Sequence, residues 1–509
     1  MKSGKNRFNM YFAALLSLTL LAVFIVKNQF LVTAGEWIVW IWLAGFAFLF
    51  FNVIHIFLVG VISTFLKAEK LKEKYLETFP KTALVYCIRN EDLEYLYERL
   101  VWSFDGNRLS RCDFWILSDS DAEFEGFERN LIQKIEERHK VKIYYRRRHE
   151  PRERKQGNIK EFIVTHPEYD FLYISDADSI VPKRTILKLL RKALHPSNQD
   201  IAIFQTFIKT AHSKTYYARF EGMSSETTQR FFFRTYQALF DRTISFGHQC
   251  LIRLNMFRQI NLPEGLLSHD NWDTALLDQK GYRTVFVDDV VTYDEAPAHY
   301  LEARKREARW AKGTLQGWPI IFMKGLSPQC RFLSFYSVYC YLAQPVFFLW
   351  FLLGLFSQSF FAGELMSFKT DAIWFDVFIN KALVCILFFS LFVIFFHKLI
   401  LVRNVSDFKK FIYETSLSFL ISGGNFLYAT WDLLIMPFKK LVWRPMSKDP
   451  NEKLSLYDAA KQLVPGTLLG ILGFWYLFEG TPNPQWSFVP LFVSFIFSIP
   501  AVYFSAKSF

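Results

Sequence analysis

Uncharged stretches open and close the chain, and a region of mixed polarity lies between them. Residues 10–26 and 37–66 contain no Asp, Glu, Lys or Arg, and about 20 apolar residues suffice to cross a bilayer. They predict a transmembrane hairpin over residues 1–66. Basic residues before the first stretch and at 67–74 predict that both ends of this hairpin lie in the cytoplasm. A cleavable signal peptide is the alternative for the first stretch.

Residues 67–330 have the pattern of a soluble α/β domain. Short apolar runs rich in β-branched and aromatic residues alternate with stretches of helical character, which predicts a mostly parallel, Rossmann-like sheet. The sequence has no Gly-x-Gly-x-x-Gly or Walker loop, which argues against a dinucleotide oxidoreductase and a P-loop ATPase. The predicted strands cover residues 82–88, 114–118, 141–145, 171–176 and 201–205.

Apolar stretches return in residues 331–509, which predicts a C-terminal membrane domain. Gly423, Gly424 and Asn425 interrupt residues 413–438, so we predict an interfacial helix with a re-entrant or broken hairpin there. The prediction totals about six spans, with both termini in the cytoplasm. The predicted spans of this domain cover residues 332–363, 382–402, 463–478 and 488–504.

Composition narrows the class of protein. Hydrophobic residues make up 51% of the 509 residues and Phe alone counts 57, which is typical of a membrane protein with a sizeable polar part. The net charge of +12 fits an anionic substrate or membrane-flanking loops better than nucleic acid, because the basic runs flank the apolar spans. The six cysteines show neither paired spacing nor a metal-binding pattern, so they are interpreted as free thiols.

Carboxylates end two of the predicted strands. Asp176 and Asp178 close the strand 171–176, and the mouth of an α/β sheet is where ligands bind. Mg²⁺ and Mn²⁺ prefer carboxylate oxygens and share their coordination with water and phosphates, so the pair predicts a divalent cation site. A plain Asp-x-Asp-Ser turn is the alternative. Asp119 ends another strand, either as a nucleotide ligand or as a capping residue.

Two further stretches contain candidate polar groups. The basic run 144–158 includes Lys155 and Gly157 and is either a diphosphate contact or a solvated face. Asp270, in a Ser-His-Asp sequence, is either a general base or part of a helix N-cap. A hydrolytic triad is disfavoured there, since three consecutive residues cannot align as nucleophile, base and orienting acid.

A basic and aromatic helix precedes the C-terminal membrane domain. Arg306 and Arg309 share one helix face and are followed by Trp310. Arg binds phosphate oxygens with a bidentate fork, and Trp offers a ring to a sugar. The alternative is a juxtamembrane anchor, for which basic and aromatic residues are also typical.

Together these motifs resemble the processive family 2 glycosyltransferases, the group of cellulose, chitin and hyaluronan synthases. That group combines a strand-end Asp, an Asp-x-Asp, a Ser/Thr-Glu/His-Asp and a Gln/Arg-x-x-Arg-Trp helix ahead of the membrane. The corresponding residues here are Asp119, Asp176-Ala-Asp178, Ser268-His269-Asp270 and Arg306-x-x-Arg309-Trp310.

A closer resemblance is to the bacterial glucans biosynthesis glucosyltransferase H family, which makes the β-1,2-linked backbone of osmoregulated periplasmic glucans. It extends from Leu84 to Gln316, and the chain is shorter than that family. Gln249 stands where the family has Asn, and Ala311-Lys312 replace a pair that begins with Cys. Further shared stretches are Asn90-Glu91-Asp92, Leu117-Ser-Asp119-Ser, Tyr145-Arg-Arg-Arg148, Gly247-His248 and Tyr293-Asp-Glu295.

The resemblance implies a GT-A-like, Rossmann-type cytoplasmic domain inserted between transmembrane helices. It implies inverting transfer of glucose from UDP-glucose to a growing β-glucan, in a bacterial inner membrane protein whose domain and termini are cytoplasmic. Asp270 would be the catalytic base, and Asp176 with Asp178 would hold Mg²⁺ or Mn²⁺. The implied substrate contacts are Asn90, Glu91, Asp119, Lys155, Asp176, His248, His269, Arg306, Arg309 and Trp310.

Other functions stay open at this point. An enzyme of the same fold could add a single sugar to a membrane lipid, or polymerise another polysaccharide. A non-catalytic scaffold or transporter is disfavoured, because every carboxylate of the motifs is present. Phe347, Phe348 and Trp350 either line a path for the glucan or pack against helices and lipid.

Overall fold

A computed structural model describes most of the chain, and seven strands form one sheet within it. It covers residues 2–29, 37–365, 404–436, 454–479 and 488–508, with single positions at 395, 396, 398, 399 and 402. The strands are β1 (Thr82–Ile88), β2 (Cys112–Ser118), β3 (Ile143–Arg147), β4 (Phe171–Asp176), β5 (Ile201–Ala211), β6 (Cys250–Arg253) and β7 (Arg283–Glu295).

Fifteen α-helices lie in the described residues. Three short 3₁₀ segments and one π-helical turn, Gln229–Phe233, connect some of them. The α-helices are α1 (Lys2–Gln29), α2 (Trp37–Phe65), α3 (Leu93–Gly106), α4 (Glu125–His139), α5 (Arg154–Thr165), α6 (Thr185–Ala193), α7 (Tyr216–Thr228), α8 (Arg234–Phe240), α9 (Leu254–Phe257), α10 (Asp270–Gln279), α11 (Tyr300–Leu315), α12 (Pro328–Leu365), α13 (Val405–Ile435), α14 (Leu456–Glu479) and α15 (Val489–Ser505).

The sheet has the order β3-β2-β1-β4-β6-β5-β7, and β6 is its antiparallel member. The predicted α/β, Rossmann-type architecture and its five strands are confirmed, although β5 runs on to Ala211. The strands β6 and β7 were not predicted. β6 has only four residues, too few for a clear hydrophobic pattern. The long β7 has charged residues in its second half, which hides it.

Alternation along β1 builds a core on each face of the sheet. Leu84, Tyr86 and Ile88 point to one side, against α3, α4 and α6. Ala83 and Val85 point to the other, against α5 and α9. This period of two is what a central strand with both faces covered requires. The strand ends are therefore fixed by apolar burial, and the polar residues that follow them gather at one edge.

Three helices in the described part of the chain are long and apolar enough to cross a membrane. They lie at Gly4–Phe24, Leu43–Phe65 and Pro328–Leu352. They correspond to the predicted hairpin and to the first span after the α/β domain. Of the later spans, α15 is apolar but has only 17 residues. The predicted span 382–402 lies largely outside the described residues, so the total of six stays a prediction.

The aromatic residues Phe347, Phe348 and Trp350, in the middle of α12, pack between helices. Phe348 and Trp350 are 6% and 4% exposed and belong to a cluster with α2, α14 and α15. The ring of Phe347 lies 4.7 Å from the ring of Phe426 on α13. Phe347, Phe348 and Trp350 therefore pack against neighbouring helices, which is the predicted alternative to lining a glucan path.

The predicted broken hairpin at 413–438 is wrong, because Val405–Ile435 form one continuous helix, α13. Gly423 does not break it. Its amide donates to Ser494 Oγ at 2.7 Å, and a Cβ at this position would overlap α15. Small residues at such places let two helices approach closely. Gly423 thus forms a helix–helix contact and does not interrupt the helix.

Helix α13 also holds α11, the helix that carries Arg306 and Trp310. The Tyr300 hydroxyl donates to Asn425 at 2.8 Å, and Arg304 pairs with Asp432 at 3.1 Å. Near the other end of α11, Lys312 donates to the carbonyl of Met436 at 3.2 Å. These three contacts fix the long axis of α11 against the C-terminal helices.

Candidate active site

A half-buried ion pair lies at the edge of the sheet where β4 ends. The Lys155 ammonium, near the start of α5, donates to the Asp176 carboxylate and, at 2.9 Å, to the carbonyl of Gly247. Burial disfavours the charged forms of both side chains, but their mutual attraction is stronger. It holds the pKa of Asp176 below its usual range and that of Lys155 above it. Both groups are therefore ionised. Their contacts join the end of β4, the start of α5 and the loop that precedes β6, the Gly247 loop.

The carboxylates of Asp176 and Asp178 were predicted to bind a divalent cation. Among the described residues, no group of three or more His, Cys, Asp or Glu side chains is arranged to hold a metal ion. A pair of carboxylates does suit Mg²⁺ or Mn²⁺ when substrate phosphates and water complete the coordination. The donor set therefore fits a cation that arrives with a diphosphate ligand and does not form a closed metal site.

Asp119 lies beside this cluster but is already paired. Its two oxygens accept from Arg148 Nε and one terminal nitrogen, both at 2.7 Å, and Asn158 donates to it at 2.8 Å. Such a bidentate fork fixes the carboxylate. Gly157 lies against the Arg152 carbonyl, where a Cβ would overlap. Its predicted close approach is therefore to its own chain, and the part of the basic run that reaches the Asp176 cluster is Lys155.

Asn90 joins the loops that follow β1 and β2. Its amide nitrogen donates to Asp121 at 2.7 Å, and its amide oxygen accepts from the Asp121 backbone at 2.9 Å. The Asn90 backbone also donates to Ser120 Oγ at 2.8 Å. The predicted nucleoside contacts Asn90 and Asp119 thus share one corner of the sheet edge, next to Glu91.

His248 stands between two carboxylates. Its Nε2 donates to Asp294 at 2.7 Å, its Nδ1 donates to the Phe246 carbonyl at 2.8 Å, and Asp176 lies 4.0 Å from Nδ1. Burial would lower the pKa of His248, but the charges of Asp294 and Asp176 raise it to about 10. With acceptors at both nitrogens, the ring is an imidazolium. Asp176 therefore has a cation on each side.

Asp294 is a site residue that the sequence motifs did not single out. It ends β7 and also accepts from Ser179 at 2.8 Å and from Gln249 at 3.1 Å. Ser179 directly follows the Asp-x-Asp, so Asp294 connects β7 with the turn after β4. The signal was present in the Tyr-Asp-Glu sequence at 293–295, but no local pattern shows that β7 ends beside β4.

Asp270 begins α10 and faces the Gly247 loop. Ser268 Oγ donates to Asp270 at 3.0 Å. A Cβ added at Gly247, which has φ +73°, would overlap the Asp270 carboxylate. Since the Gly247 carbonyl accepts from Lys155, Asp270 and Asp176 lie on two sides of the same short loop. The N-cap alternative is not what is seen, because Asp270 is the first residue of the helix and His269 precedes it.

His269 lies close to two carboxylates in the first turn of α10. Its Nδ1 donates to Asp273 at 2.6 Å and lies 3.8 Å from the Asp270 carboxylate. Burial lowers the pKa of His269, but the neighbouring Asp273 carboxylate outweighs burial and raises it. His269 therefore helps to hold the first turn of α10, and its contact with substrate stays a prediction.

Helix α11 packs directly on the Ser268–Asp270 segment. Gly313 lies against Ser268, where a Cβ would clash. Gln316 accepts from the Leu267 amide at 2.7 Å and donates to the Gly265 carbonyl at 3.1 Å. The sequence motifs assign no role to Gly313 or Gln316. Their role is to fix the loop that delivers Asp270.

The arginines of α11 are already engaged by neighbours. Arg306 pairs with Glu221 of α7, and its guanidinium lies 4.3 Å from the centre of the Trp310 ring. Burial together with the charge of Arg306 lowers the pKa of Arg309. Trp310 is 47% exposed. The structure therefore brings Arg306 and Trp310 together, and Trp310 leaves a ring accessible beside a fixed positive charge.

Replacing Asp294 by Asn is expected to lower the pKa of His248. In the wild type this pKa is about 10 against 6.5 for a free histidine. The bound proton therefore stabilises the fold below pH 6.5, and this stabilisation is lost as the pH rises toward 10. The melting temperature of the wild type, measured in detergent, should therefore fall between pH 6.5 and 10. The Asp294→Asn variant should lack this part of the fall.

The matched control is Asp105→Asn, which removes the carboxylate from an exposed His139 pair at 3.1 Å. This control should keep the wild-type dependence of melting temperature on pH. If Asp294→Asn and the wild type decline in parallel between pH 6.5 and 10, the His248–Asp294 pairing is contradicted.

The known proteins that this chain resembles are glycosyltransferases. Residues 171–401 match the family model described as glycosyl transferase family group 2. A protein named glucans biosynthesis glucosyltransferase H from Pseudomonas entomophila is 27% identical over 478 residues, covering 84% of this chain and 54% of the relative. A protein of the same name from Pseudomonas putida is 27% identical over 479 residues. The chain spans about half the length of these curated relatives.

One solved structure shares the fold. It is a mannosyltransferase from Pyrobaculum calidifontis, in complex with GDP-Man and Mn²⁺, with a TM-score of 0.50 and 14% identity. The match covers 68% of this chain and 98% of that one. The resemblance that the motifs predicted is confirmed: the chain is similar to the glucosyltransferase H proteins, has a GT-A-like α/β fold and, over residues 171–401, matches the glycosyl transferase family group 2 model.

Proposed function

We propose that this protein is a membrane-embedded, inverting glucosyltransferase that polymerises glucose from UDP-glucose into a β-glucan with a β-1,2-linked backbone. The α/β domain would work on the cytoplasmic side of a bacterial inner membrane and pass the polymer outward. The names of the relatives support the sugar and the product. The domain match supports glycosyl transfer.

One observation carries the proposal: the Asp270 carboxylate and the Lys155–Asp176 pair lie on two sides of the Gly247 loop. A transfer with inversion needs a base on the acceptor side and positive charge on the side of the leaving diphosphate. Asp270 is such a base, and Lys155 supplies charge on the other side. The Gly247 loop therefore lies between the proposed base, Asp270, and the positive charge of Lys155.

The reaction then proceeds in one displacement. An acceptor hydroxyl, held beside Asp270, gives its proton to that carboxylate as its oxygen attacks the anomeric carbon of glucose. The bond from that carbon to the diphosphate oxygen breaks, and UDP departs with the electron pair from the opposite face. Ser268, which donates to Asp270 at 3.0 Å, orients the carboxylate for this proton transfer.

Several positive groups would balance the charge that develops on UDP. Lys155 and the His248 imidazolium flank Asp176, and Arg306 and Arg309 of α11 would add to them when the substrate is bound. Asp176 and Asp178 would hold a divalent cation, which supplies Lewis-acid stabilisation of the diphosphate when bound. The Trp310 ring is placed to stack on a sugar of the acceptor.

The direct test is turnover by detergent-solubilised protein with radiolabelled UDP-glucose and Mg²⁺ or Mn²⁺. We expect UDP release together with a labelled polymer that a glucanase digests. Asp270→Asn should lower the rate by about 10²- to 10⁴-fold, the usual contribution of a general base, while the melting temperature stays near that of the wild type.

The other outcomes separate the alternatives. Label that extracts with lipid would indicate transfer of a single sugar to a membrane lipid. Turnover with another UDP-sugar, but not UDP-glucose, would keep the mechanism and overturn the glucan. An Asp270→Asn variant that turns over like the wild type would contradict the assigned base.

A pair of glycine variants tests the contact between Asp270 and the loop. Gly247 and Gly265 share a positive φ, +73° and +74°, but an added Cβ meets Asp270 at Gly247 and meets no atom within 4 Å at Gly265. Gly247→Ala should lose about 100-fold in kcat, since a displacement near 1 Å costs that much. Gly265→Ala also places a side chain at a positive φ, and it should keep most of its activity.

The readout is the initial rate of UDP release, with melting temperature as the check on folding. Equal losses of rate in the two variants would mean that backbone strain, and not displacement of Asp270, is responsible. That result would contradict the place given to Asp270 at the loop.

A further inference from the structure

An open groove lies where α13 and α15 meet the first turn of α7. None of the candidate active-site residues lines it. Its volume is about 480 Å³. Tyr216 and Tyr413 close one end, where the Tyr413 hydroxyl donates to the Tyr216 carbonyl at 2.7 Å. The described residues that line it include Leu417, Phe497, Ala501, Phe504 and Lys507.

The walls of the groove are apolar along its length. Leu417 forms its buried floor, while Phe497 and Phe504 are 51% and 59% exposed at its rim. A sugar chain would leave its hydroxyls without partners on such walls, which costs free energy. An acyl chain would not, and contact with it would remove exposed Phe surface from water. The groove therefore fits a hydrocarbon ligand.

Positive charge stands at one end of this apolar groove. The Lys507 ammonium is held 4.9 Å and 4.8 Å from the ring centres of Tyr503 and Phe504, with the lysine itself exposed. The positive charge of Arg219, one turn into α7, acts on the Tyr413 phenol. Lys409 precedes Tyr413 by four residues and so shares its helix face.

The backbone holds Lys507 in place. The Lys507 carbonyl accepts from the Tyr216 amide at 3.1 Å, and Ser508 pairs with Thr215 in an isolated β-bridge. The ammonium is thus fixed beside α7 by the chain that follows α15. An apolar groove that ends at cations has the two-part character of a phospholipid with an anionic headgroup.

We propose that this groove binds one anionic phospholipid, with an acyl chain along Leu417 and Ala501 and the phosphate beside Lys507. The site is separate from the proposed glycosyl transfer and does not depend on it. It is connected to the candidate active site through α7, because Glu221, on that helix, pairs with Arg306 of α11.

The test uses the full chain, purified in detergent, delipidated, and mixed with equal amounts of dioleoyl phosphatidylglycerol and dioleoyl phosphatidylcholine. Native mass spectrometry then counts the lipid of each kind that stays bound. We expect a preference for phosphatidylglycerol, which has the same tails and a net negative charge. Lys507→Gln should reduce that preference about fivefold, the value of one cation near an anionic headgroup.

Two further variants make the result specific to this groove. Ala501→Trp fills it and should reduce the retention of both lipids. Lys134→Gln removes an exposed lysine of α4, far along the chain in the α/β domain, and should behave like the wild type. Matching elution profiles and melting temperatures establish that each variant is folded; if Ala501→Trp is not, Lys507→Gln decides alone.

Three outcomes would overturn the proposal. Equal retention of the two lipids by the wild type would remove the role of charge. A preference that Lys507→Gln changes no more than Lys134→Gln would place the site elsewhere. Retention of neither lipid would mean that another part of this chain, or a different ligand, fills the groove.

Discussion

The ion pair of Lys155 with Asp176 holds together the parts of the molecule on which everything else depends. Lys155 comes from the start of α5, Asp176 from the end of β4, and the shared Gly247 carbonyl from the loop before β6. The pair is half-buried, where opposite charges attract each other more strongly than they do in water. This attraction, together with the hydrogen bond to the Gly247 carbonyl, fixes three segments at one edge of the sheet, and Asp270 takes its position from the third.

The C-terminal helices complete the site indirectly. Helix α13 holds α11 through Asn425 and Asp432, and α11 in turn holds the loop before Asp270 through Gln316. The proposed base is therefore positioned from the sheet on one side and from the C-terminal helices on the other.

Local patterns in the sequence predicted five of the seven strands, the strand-end carboxylates and the first membrane helices, because burial on both faces and a lack of charge leave strong signals. They did not predict contacts between distant segments. The pairing of Asp119 with Arg148 and of His248 with Asp294 depends on strand order. The predicted break at Gly423 was wrong for the same reason, because its partner, Ser494, lies 71 residues away.

The central claim is that the diphosphate of a nucleotide sugar binds at Asp176 while Asp270 serves the acceptor. Calorimetric titration of the solubilised protein with UDP in the presence of Mn²⁺ tests it most directly. Asp176→Asn should weaken UDP binding at least about tenfold, or about 1.4 kcal/mol, and Asp270→Asn should leave it unchanged. If Asp176→Asn bound UDP as tightly as the wild type, or Asp270→Asn lost it, the division of roles would be contradicted.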